Sequence, residues 1–392
     1  MMFCSPWRGS LASGTLDRMR FFDAHCDTIG AICEGADFIS GKRERDEAGG
    51  GAASADHPSA ALHVTLPGLK AAGFGAQVFA SWVWSQRHKG RELEVGLAKV
   101  EAVRRLCDEY SDDLFLTLSG AQVAEAFVPP GAGPAGGAPA KIAVIASLEA
   151  ADPLQGDVDN LDLFFAAGIR LLTLAWGDNA FLGSTYGPGS GLTRLGADLV
   201  EACEDKRILV DVSHASDQAF LDICQTATRP FVASHSNCRS LCPSPRNLTD
   251  EMIRVIGERG GVMGIALAPG FLSRDYYEAE RPLSQAFFAE VLGGTGSFED
   301  AGRKISAATA LLPPPPLDVI VDHVLHAIDV GGEDAVGLGG DLDGIDVLPE
   351  GFEGAGDYPR IAELLRKAGL KDTQLEKICY GNFARVFKEG LP

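Results

Sequence analysis

Five separate runs of apolar residues in this chain end in a carboxylate or an imidazole, the side chains that bind divalent metal ions. The first run ends in His25 and Asp27, two positions apart, so both point to the same face of a strand end. The later runs end in Glu149, His214, His235 and Asp341. A buried strand has little physical reason to end in such groups unless something there binds them. The recurrence predicts one site assembled from strand ends.

Each of these residues also has an ordinary structural interpretation when taken alone. Glu149 or Asp341 could cap the helix that follows it, and either later histidine could be a hydrogen-bonded core residue. Cys238 and Cys242 resemble half of a zinc site, but no second pair completes it. The argument for a metal site therefore depends on the five runs together.

The ligand types predict the chemistry of the site. Mixed imidazole and carboxylate ligands suit zinc, and the predicted ligands of two adjacent Zn²⁺ ions are His25, Asp27, Glu149, His214 and His235, with Glu149 bridging through its two oxygens. Two such ions can hold a hydroxide between them and polarise a carbonyl group. Asp341 is then free to orient that hydroxide and to pass its proton to a leaving amine. These steps hydrolyse an amide or a related bond.

The elements that position these residues alternate between strand and helix. Helical periodicity marks segments such as 93–107, 195–205 and 317–330. Eight repeats of strand and helix predict an α/β fold, a (β/α)8 TIM barrel, in which catalytic groups lie at the carboxyl ends of the strands. The eight predicted strands are 21–27, 75–84, 142–149, 169–176, 208–214, 231–236, 260–267 and 335–341.

The length of 392 residues and a hydrophobic content of 46% are sufficient for one large core. We predict a single catalytic barrel over residues 19–392. Residues 1–18 contain no apolar core of signal-peptide length, and we expect a disordered extension there. We interpret three further segments as loops of this one domain and not as linkers between domains. They are residues 41–58, residues 128–140 and the four consecutive prolines within 311–316.

Charge and cysteine usage exclude some classes of partner. The net charge of −20 repels phosphate backbones and anionic lipid, so we expect neither nucleic acid nor a membrane as a partner. No apolar run reaches membrane-spanning length. Nine scattered cysteines and the lack of an export signal favour a reducing compartment, and we expect a cytoplasmic protein.

Several motifs resemble those of the membrane (renal-type) dipeptidases, peptidase family M19 of the amidohydrolase superfamily, and the similarity spans roughly residues 21–390. This resemblance implies a binuclear zinc barrel enzyme that hydrolyses dipeptides with a free carboxylate. It places His25 and Asp27 on one zinc, His214 and His235 on the other, Glu149 as the bridge and Asp341 as the acid and base. The motifs are Asp-Ala-His-Cys-Asp at 23–27, Asp-Val-Ser-His at 211–214, Ser-His-Ser at 234–236, Gly-Gly-Asp-Leu-Asp-Gly at 339–344 and Asn-Phe-Ala-Arg-Val-Phe at 382–387.

The resemblance also assigns substrate contacts. Arg246, eleven residues after His235, matches the family's arginine that pairs with the terminal carboxylate of the substrate. Trp176 stands where mammalian members have an active-site histidine, and we interpret it as a wall of the substrate pocket, although an aromatic residue at a strand end is about as often core. Leu267 and Ala268 stand where the family has a tyrosine.

The chain has no hydrophobic tail after Phe387, so we expect a soluble bacterial-type dipeptidase without a lipid anchor. By resemblance alone we expect a homodimer.

Two other functions stay open. Another barrel metallohydrolase would act on a lactone or a cyclic amide, but such enzymes mostly open with His-x-His and bridge their metals with a modified lysine. A barrel without catalysis would be free to lose Asp341 or the bridging ligand, and both are present.

Overall fold

The structure is a computed structural model of the chain that describes residues 19–43, 61–128, 141–292 and 295–392. The predicted extension at 1–18 and most of the predicted loops at 41–58 and 128–140 lie outside these residues. Within the described part, no helix is both long enough and apolar enough to cross a membrane.

Eight parallel strands close into a ring, as the alternation of strands and helices predicts. Each strand pairs with the next in the order given below, and the last pairs with the first. A short additional strand, β3 (Leu114–Leu116), pairs with the start of the third strand of the ring and was not predicted. The ring consists of β1 (Phe21–Cys26), β2 (Phe74–Trp82), β4 (Ile142–Glu149), β5 (Ile169–Thr173), β6 (Leu209–Asp211), β7 (Val232–Ala233), β8 (Val262–Ile265) and β9 (Val336–Leu338).

Helices surround the ring and connect successive strands. Many begin at a Ser or Thr whose side chain accepts a hydrogen bond from the third helical amide, for example Thr193, Ser216 and Thr249. The helices are α1 (Thr28–Cys33), α2 (Leu66–Ala72), α3 (Glu92–Glu109), α4 (Gly120–Ala126), α5 (Leu161–Ala167), α6 (Arg194–Lys206), α7 (Asp217–Thr226), α8 (Asp250–Glu258), α9 (Pro269–Leu272), α10 (Arg274–Leu292), α11 (Phe298–Thr309), α12 (Val319–Gly331), α13 (Tyr358–Lys367), α14 (Asp372–Glu376) and α15 (Asn382–Gly390).

The inside of the barrel changes from apolar to polar along each strand. On β4, Ala143 and Ile145 belong to the buried cluster inside the ring, and Ser147 and Glu149 follow on the same face at period two. At the end where the strands begin, α15 closes the barrel, because the rings of Phe383 and Phe387 lie 5.6 and 5.1 Å from that of Phe22. The polar end is therefore the open mouth.

Two helices that follow β8 contribute to this mouth. Residues of α10 and α11 line the same cavity as the ends of the barrel strands. We refer to α10 and α11 as the cover. The cover was not among the elements predicted from the sequence, since no helix was predicted within residues 274–309.

Candidate active site

The six residues predicted to form the reactive centre lie together at the mouth of the barrel. His25 Nε2 lies 3.3 Å from Asp27 Oδ2, 3.4 Å from Glu149 Oε2 and 3.9 Å from Asp341 Oδ1. On the other side of the glutamate, His214 Nε2 lies 3.1 Å from Glu149 Oε1, and His235 Nε2 lies 4.0 Å from the same oxygen. Glu149 therefore presents one carboxylate oxygen to each of two ligand groups.

Two of these residues, in the loops that follow β6 and β9, have left-handed backbone and line the cavity. His214 and Asp341 have φ angles of 67° and 59°, in a region that residues other than glycine rarely adopt. Strained backbone of this kind is concentrated at functional sites, where surrounding contacts fix it. β6 and β9 end three residues before His214 and Asp341, so both are shorter than the predicted strands, which extended to these residues.

A hydrogen-bond network behind His235 fixes its ring. Ser234 Oγ lies 2.8 Å from His235 Nδ1 and donates to Asp211 Oδ2 at 2.5 Å. The other oxygen of Asp211 accepts from the amides of Ser213 and Ser234. Partners of this kind orient a histidine so that the opposite nitrogen, here Nε2, is available to a ligand.

Asp23 performs a similar function between the first and last strands. Its carboxylate accepts hydrogen bonds from the amides of His25 at 2.9 Å and Gly340 at 2.7 Å, and from the hydroxyl of Tyr358. Asp23 is fully buried. This carboxylate therefore holds the backbone of β1 next to the loop that contains Asp341.

The buried charges perturb one another strongly. Burial, together with the charge of Asp27, raises the pKa of Glu149 to about 8, and burial raises the pKa of Asp341 to about 7. Burial lowers the pKa of His25, but the charges of Glu149 and Asp27 outweigh this and hold it well above the ordinary value. Burial also holds the pKa values of His214 and His235 well below their usual range, which keeps these imidazoles neutral and able to act as ligands.

This donor set fits divalent metal ions. The Nε2 atoms of His214 and His235 face each other at 2.9 Å, and oxygens of Asp27 and Glu149 lie 3.3 and 3.4 Å from His25 Nε2. Ligand atoms of His25, Glu149 and His235 lie within 4.8 Å of one another, as do those of His25, Asp27 and Asp341. Three buried carboxylates so close together need positive charge nearby, and imidazole with carboxylate is a ligand combination that zinc accepts.

The centre opens into a cavity of about 970 Å³. Arg246 and Trp176, the two predicted substrate contacts, both line it. Arg246 is only 2% exposed, its Nη2 donates to the carbonyl oxygen of His235 at 3.2 Å, and its Nε has no hydrogen-bond partner among the described residues. Trp176 lies three residues beyond the end of β5, in the loop, and is partly exposed to the cavity.

Tyr186 is a residue of this site that the sequence did not reveal. It lies in the loop between β5 and α6, lines the cavity and has its ring centre 5.8 Å from that of His214. Burial raises the pKa of Tyr186 to about 12, and the neighbouring Arg246 opposes the shift. A tyrosine in a glycine-rich loop has no periodicity that would single it out, because its position depends on the tertiary fold.

Comparisons with known proteins identify the family. A family model described as membrane dipeptidase, peptidase family M19, matches residues 12–390. The Klebsiella pneumoniae protein named "Uncharacterized protein in pqqA 5'region" is 34% identical over 255 residues, 63% of this chain and 82% of that protein. Dipeptidase 3 of Rattus norvegicus is 25% identical over 324 residues, which cover 80% of this chain and 56% of that protein.

A solved structure shows the same fold. It is a metallo peptidase from Rhodobacter sphaeroides liganded with a phosphinate mimic of the dipeptide L-Ala-D-Ala. The two chains are 24% identical, superpose with a TM-score of 0.71 and cover 96% of this chain and 100% of that one. The predicted (β/α)8 barrel is therefore confirmed, both by the closed ring and by this similarity.

Proposed function

Because this chain belongs to the peptidase M19 family of membrane dipeptidases, we propose that it hydrolyses dipeptides with the help of two divalent metal ions, and that both are zinc. The main support is the position of Glu149, whose two oxygens face His25 at 3.4 Å and His214 at 3.1 Å. A carboxylate in this position can bridge two metal ions. Few other arrangements need neutral imidazoles and desolvated carboxylates this close together.

In this proposal His25 and Asp27 would hold one ion, His214 and His235 would hold the other, and Glu149 would bind both. The ions would polarise the scissile carbonyl and make water a better nucleophile at neutral pH. Ser234 contacts Nδ1 of His235 and is itself held by Asp211, which leaves the Nε2 atom of His235 available to a metal ion.

Asp341 moves the proton. Its carboxylate lines the cavity, and Oδ1 lies 3.9 Å from His25 Nε2. From this position it can accept a proton from the attacking water and deliver the proton to the leaving amine. No other carboxylate is needed for this step, since Asp27 and Glu149 are ligands in the proposal.

Arg246 recognises the terminal carboxylate of the substrate. Arg246 lines the cavity and is 2% exposed, so a bound anion would meet its guanidinium in a site largely shielded from solvent. A guanidinium binds a carboxylate with directed, charge-assisted hydrogen bonds. Support for this substrate class also comes from the dipeptide mimic bound by the Rhodobacter sphaeroides enzyme and from the name of rat Dipeptidase 3.

The test is the release of free amino acids from a panel of L,L- and L,D-dipeptides by zinc-loaded protein. Metal-stripped protein and the same sample after zinc is restored are the controls. We expect cleavage that disappears with the metal and returns with it. Full activity without metal would contradict the metal role, and no cleavage of any dipeptide by protein with two bound zinc ions would favour a lactone or cyclic-amide hydrolase.

A further inference from the structure

We propose that this enzyme takes dipeptides that contain an aromatic side chain, and that a wall of aromatic rings beside the metal centre selects them. The inference rests on the proposed function and names the substrate class of the same site. The wall consists of Trp82, Trp176, Tyr186, Phe287 and Phe288, all of which line the cavity. We call this set the aromatic wall.

The rings of the wall lie in mutual contact. The Trp176 ring centre is 5.2 Å from that of Trp82, 5.4 Å from that of Tyr186 and 6.2 Å from that of Phe288. Tyr186 and Phe288 stack at 4.8 Å, and Phe287 meets Phe288 edge to face at 5.1 Å. These separations lie in the range of favourable ring pairs, so one more ring can extend the cluster.

Attachment of the cover to the barrel does not fully explain the wall. Trp84, which is 8% exposed and absent from the cavity lining, packs in one cluster with Val291 and Ala301 of the cover, and Trp82, Trp176 and Phe287 use only part of their surface to pack against that cluster. Trp82, Trp176, Tyr186, Phe287 and Phe288 are all partly exposed, and all line the cavity. Partly exposed aromatic faces next to one another leave apolar surface in contact with water until a ligand covers it.

The wall lies next to the reacting centre. The ring centres of Trp176 and Tyr186 are 6.3 and 5.8 Å from that of His214, a predicted metal ligand. Arg246 is close enough to Tyr186 to influence its pKa. A dipeptide with its carboxylate on Arg246 and its peptide bond at the metal ligands therefore has a side chain beside the rings.

The size of the cavity favours a large side chain. Its volume of about 970 Å³ is near the upper end of the usual range of ~300–1,000 Å³ for small-molecule sites. Two small residues would leave the aromatic wall in contact with water. An aromatic side chain would remove apolar surface from water and add ring contacts, which together predict a preference of about tenfold or more in kcat/KM.

The experiment compares kcat/KM of the zinc-loaded enzyme for Ala-Ala, Leu-Ala, Phe-Ala and Ala-Phe. We expect Phe-Ala or Ala-Phe to exceed Ala-Ala by about tenfold or more, and the better of the two identifies the residue that meets the wall. Leu-Ala has a large apolar side chain without a ring, so it distinguishes the effect of ring contacts from the effect of size. Trp176→Ala from the barrel and Phe288→Ala from the cover should each reduce the Phe-to-Ala ratio to about threefold or less.

The measured quantity is the ratio of kcat/KM for the better Phe-containing dipeptide to kcat/KM for Ala-Ala. A variant with lower overall activity is therefore still informative. Leu311→Ala is the control, because Leu311 is 84% exposed and outside the cavity lining, and it should retain the full preference. Equal rates for all four dipeptides would overturn the inference and leave the proposed function intact. Absence of any cleavage would overturn both, and an undiminished ratio in both wall variants would show that the rings do not select the substrate.

Discussion

Glu149 is the residue on which the two-metal proposal depends most directly. Glu149 is 4% exposed, and its carboxylate offers one oxygen to His25 and the other to His214. Glu149→Gln keeps the size of the side chain but replaces one ligand oxygen by an amide nitrogen. We expect the variant to bind fewer than two zinc ions per chain by elemental analysis, with activity lower by about 100-fold or more.

Glu280→Gln is the matched control for Glu149→Gln. Glu280 is also a carboxylate of the cavity lining, and burial raises its pKa to about 7, but it belongs to neither ligand group. The control should bind two zinc ions. Two tightly bound zinc ions in Glu149→Gln would rule out the bridging role.

Asp341→Asn tests proton transfer separately from metal binding. Asparagine tolerates the left-handed backbone that Asp341 has at φ 59°, so the substitution should leave the loop in place. We expect two bound zinc ions and a kcat lower by about 10²–10⁴-fold, the usual contribution of a general acid and base. Normal turnover with both metals bound would contradict this role.

Arg246→Ala tests recognition of the substrate carboxylate. Removal of the guanidinium should raise KM for dipeptides with a free carboxylate by about tenfold or more, because a buried charge pair is lost. The same dipeptides with an amidated carboxyl end should show little difference between wild type and variant. Arg254→Ala, at an exposed arginine paired with Glu251 on α8, should behave as wild type in steady-state kinetics. Unchanged KM for the free dipeptides would show that Arg246 does not contact the carboxylate.

Residue types at strand ends were sufficient to predict which six side chains meet at the mouth of the barrel. His25, Asp27, Glu149, His214, His235 and Asp341 lie together as predicted, because parallel strands of a barrel bring their carboxyl ends to one mouth. Their individual roles stay predictions. Tyr186 and Phe288 could not be found in this way, since their places depend on how a loop and the cover fold over the mouth.

Among the connecting segments, the loop after β9 is tightly constrained by a glycine. A Cβ atom on Gly344 would lie 2.2 Å from Asp27 Oδ2 and 2.6 Å from Asp341 Oδ1, distances that require the carboxylates to move. We expect Gly344→Ala to fold but to lose metal and at least about tenfold in activity, as measured by elemental analysis and dipeptide hydrolysis.

Gly177→Ala is the matched control for Gly344→Ala, because a Cβ atom on Gly177 would meet nothing within 4 Å. It should match wild type in melting temperature and metal content. Wild-type metal content and activity in Gly344→Ala would show that the two carboxylates have more freedom than the structure indicates.

The eight strands of the ring could be predicted because each is an apolar run between helical patterns. β3 was missed since three residues, Leu114–Leu116, are too few for a recognisable pattern. The cover was missed for a different reason. Its helix α10 contains Pro282, which usually ends a helix, and the contacts that favour the helix belong to the tertiary structure.

For the whole molecule, metal binding should be part of its stability. Asp27, Glu149 and Asp341 are all at least 91% buried and close together, which is unfavourable without compensating positive charge. Removal of zinc by a chelator should lower the melting temperature, and restored zinc should raise it again. Free zinc at 1,000 times the dissociation constant would stabilise the fold by about 4 kcal/mol.

Calorimetry of Glu149→Gln provides the comparison for the chelator experiment. With the proposed bridging ligand altered, this variant should respond less to chelator than wild type does. Identical melting curves for wild type with and without zinc would mean that the metal contributes nothing to the stability of the fold.

The hydrogen bond between Asp23 and Gly340 joins residues 317 positions apart in the chain. During synthesis, therefore, the ribosome must complete nearly the whole polypeptide before β1 can meet the loop that contains Asp341. Since chains emerge amino end first at about 5–20 residues per second, His25 and Asp27 wait many seconds for the remaining ligands of the centre. A site that uses all five proposed metal ligands therefore cannot be complete before His235 has been synthesised.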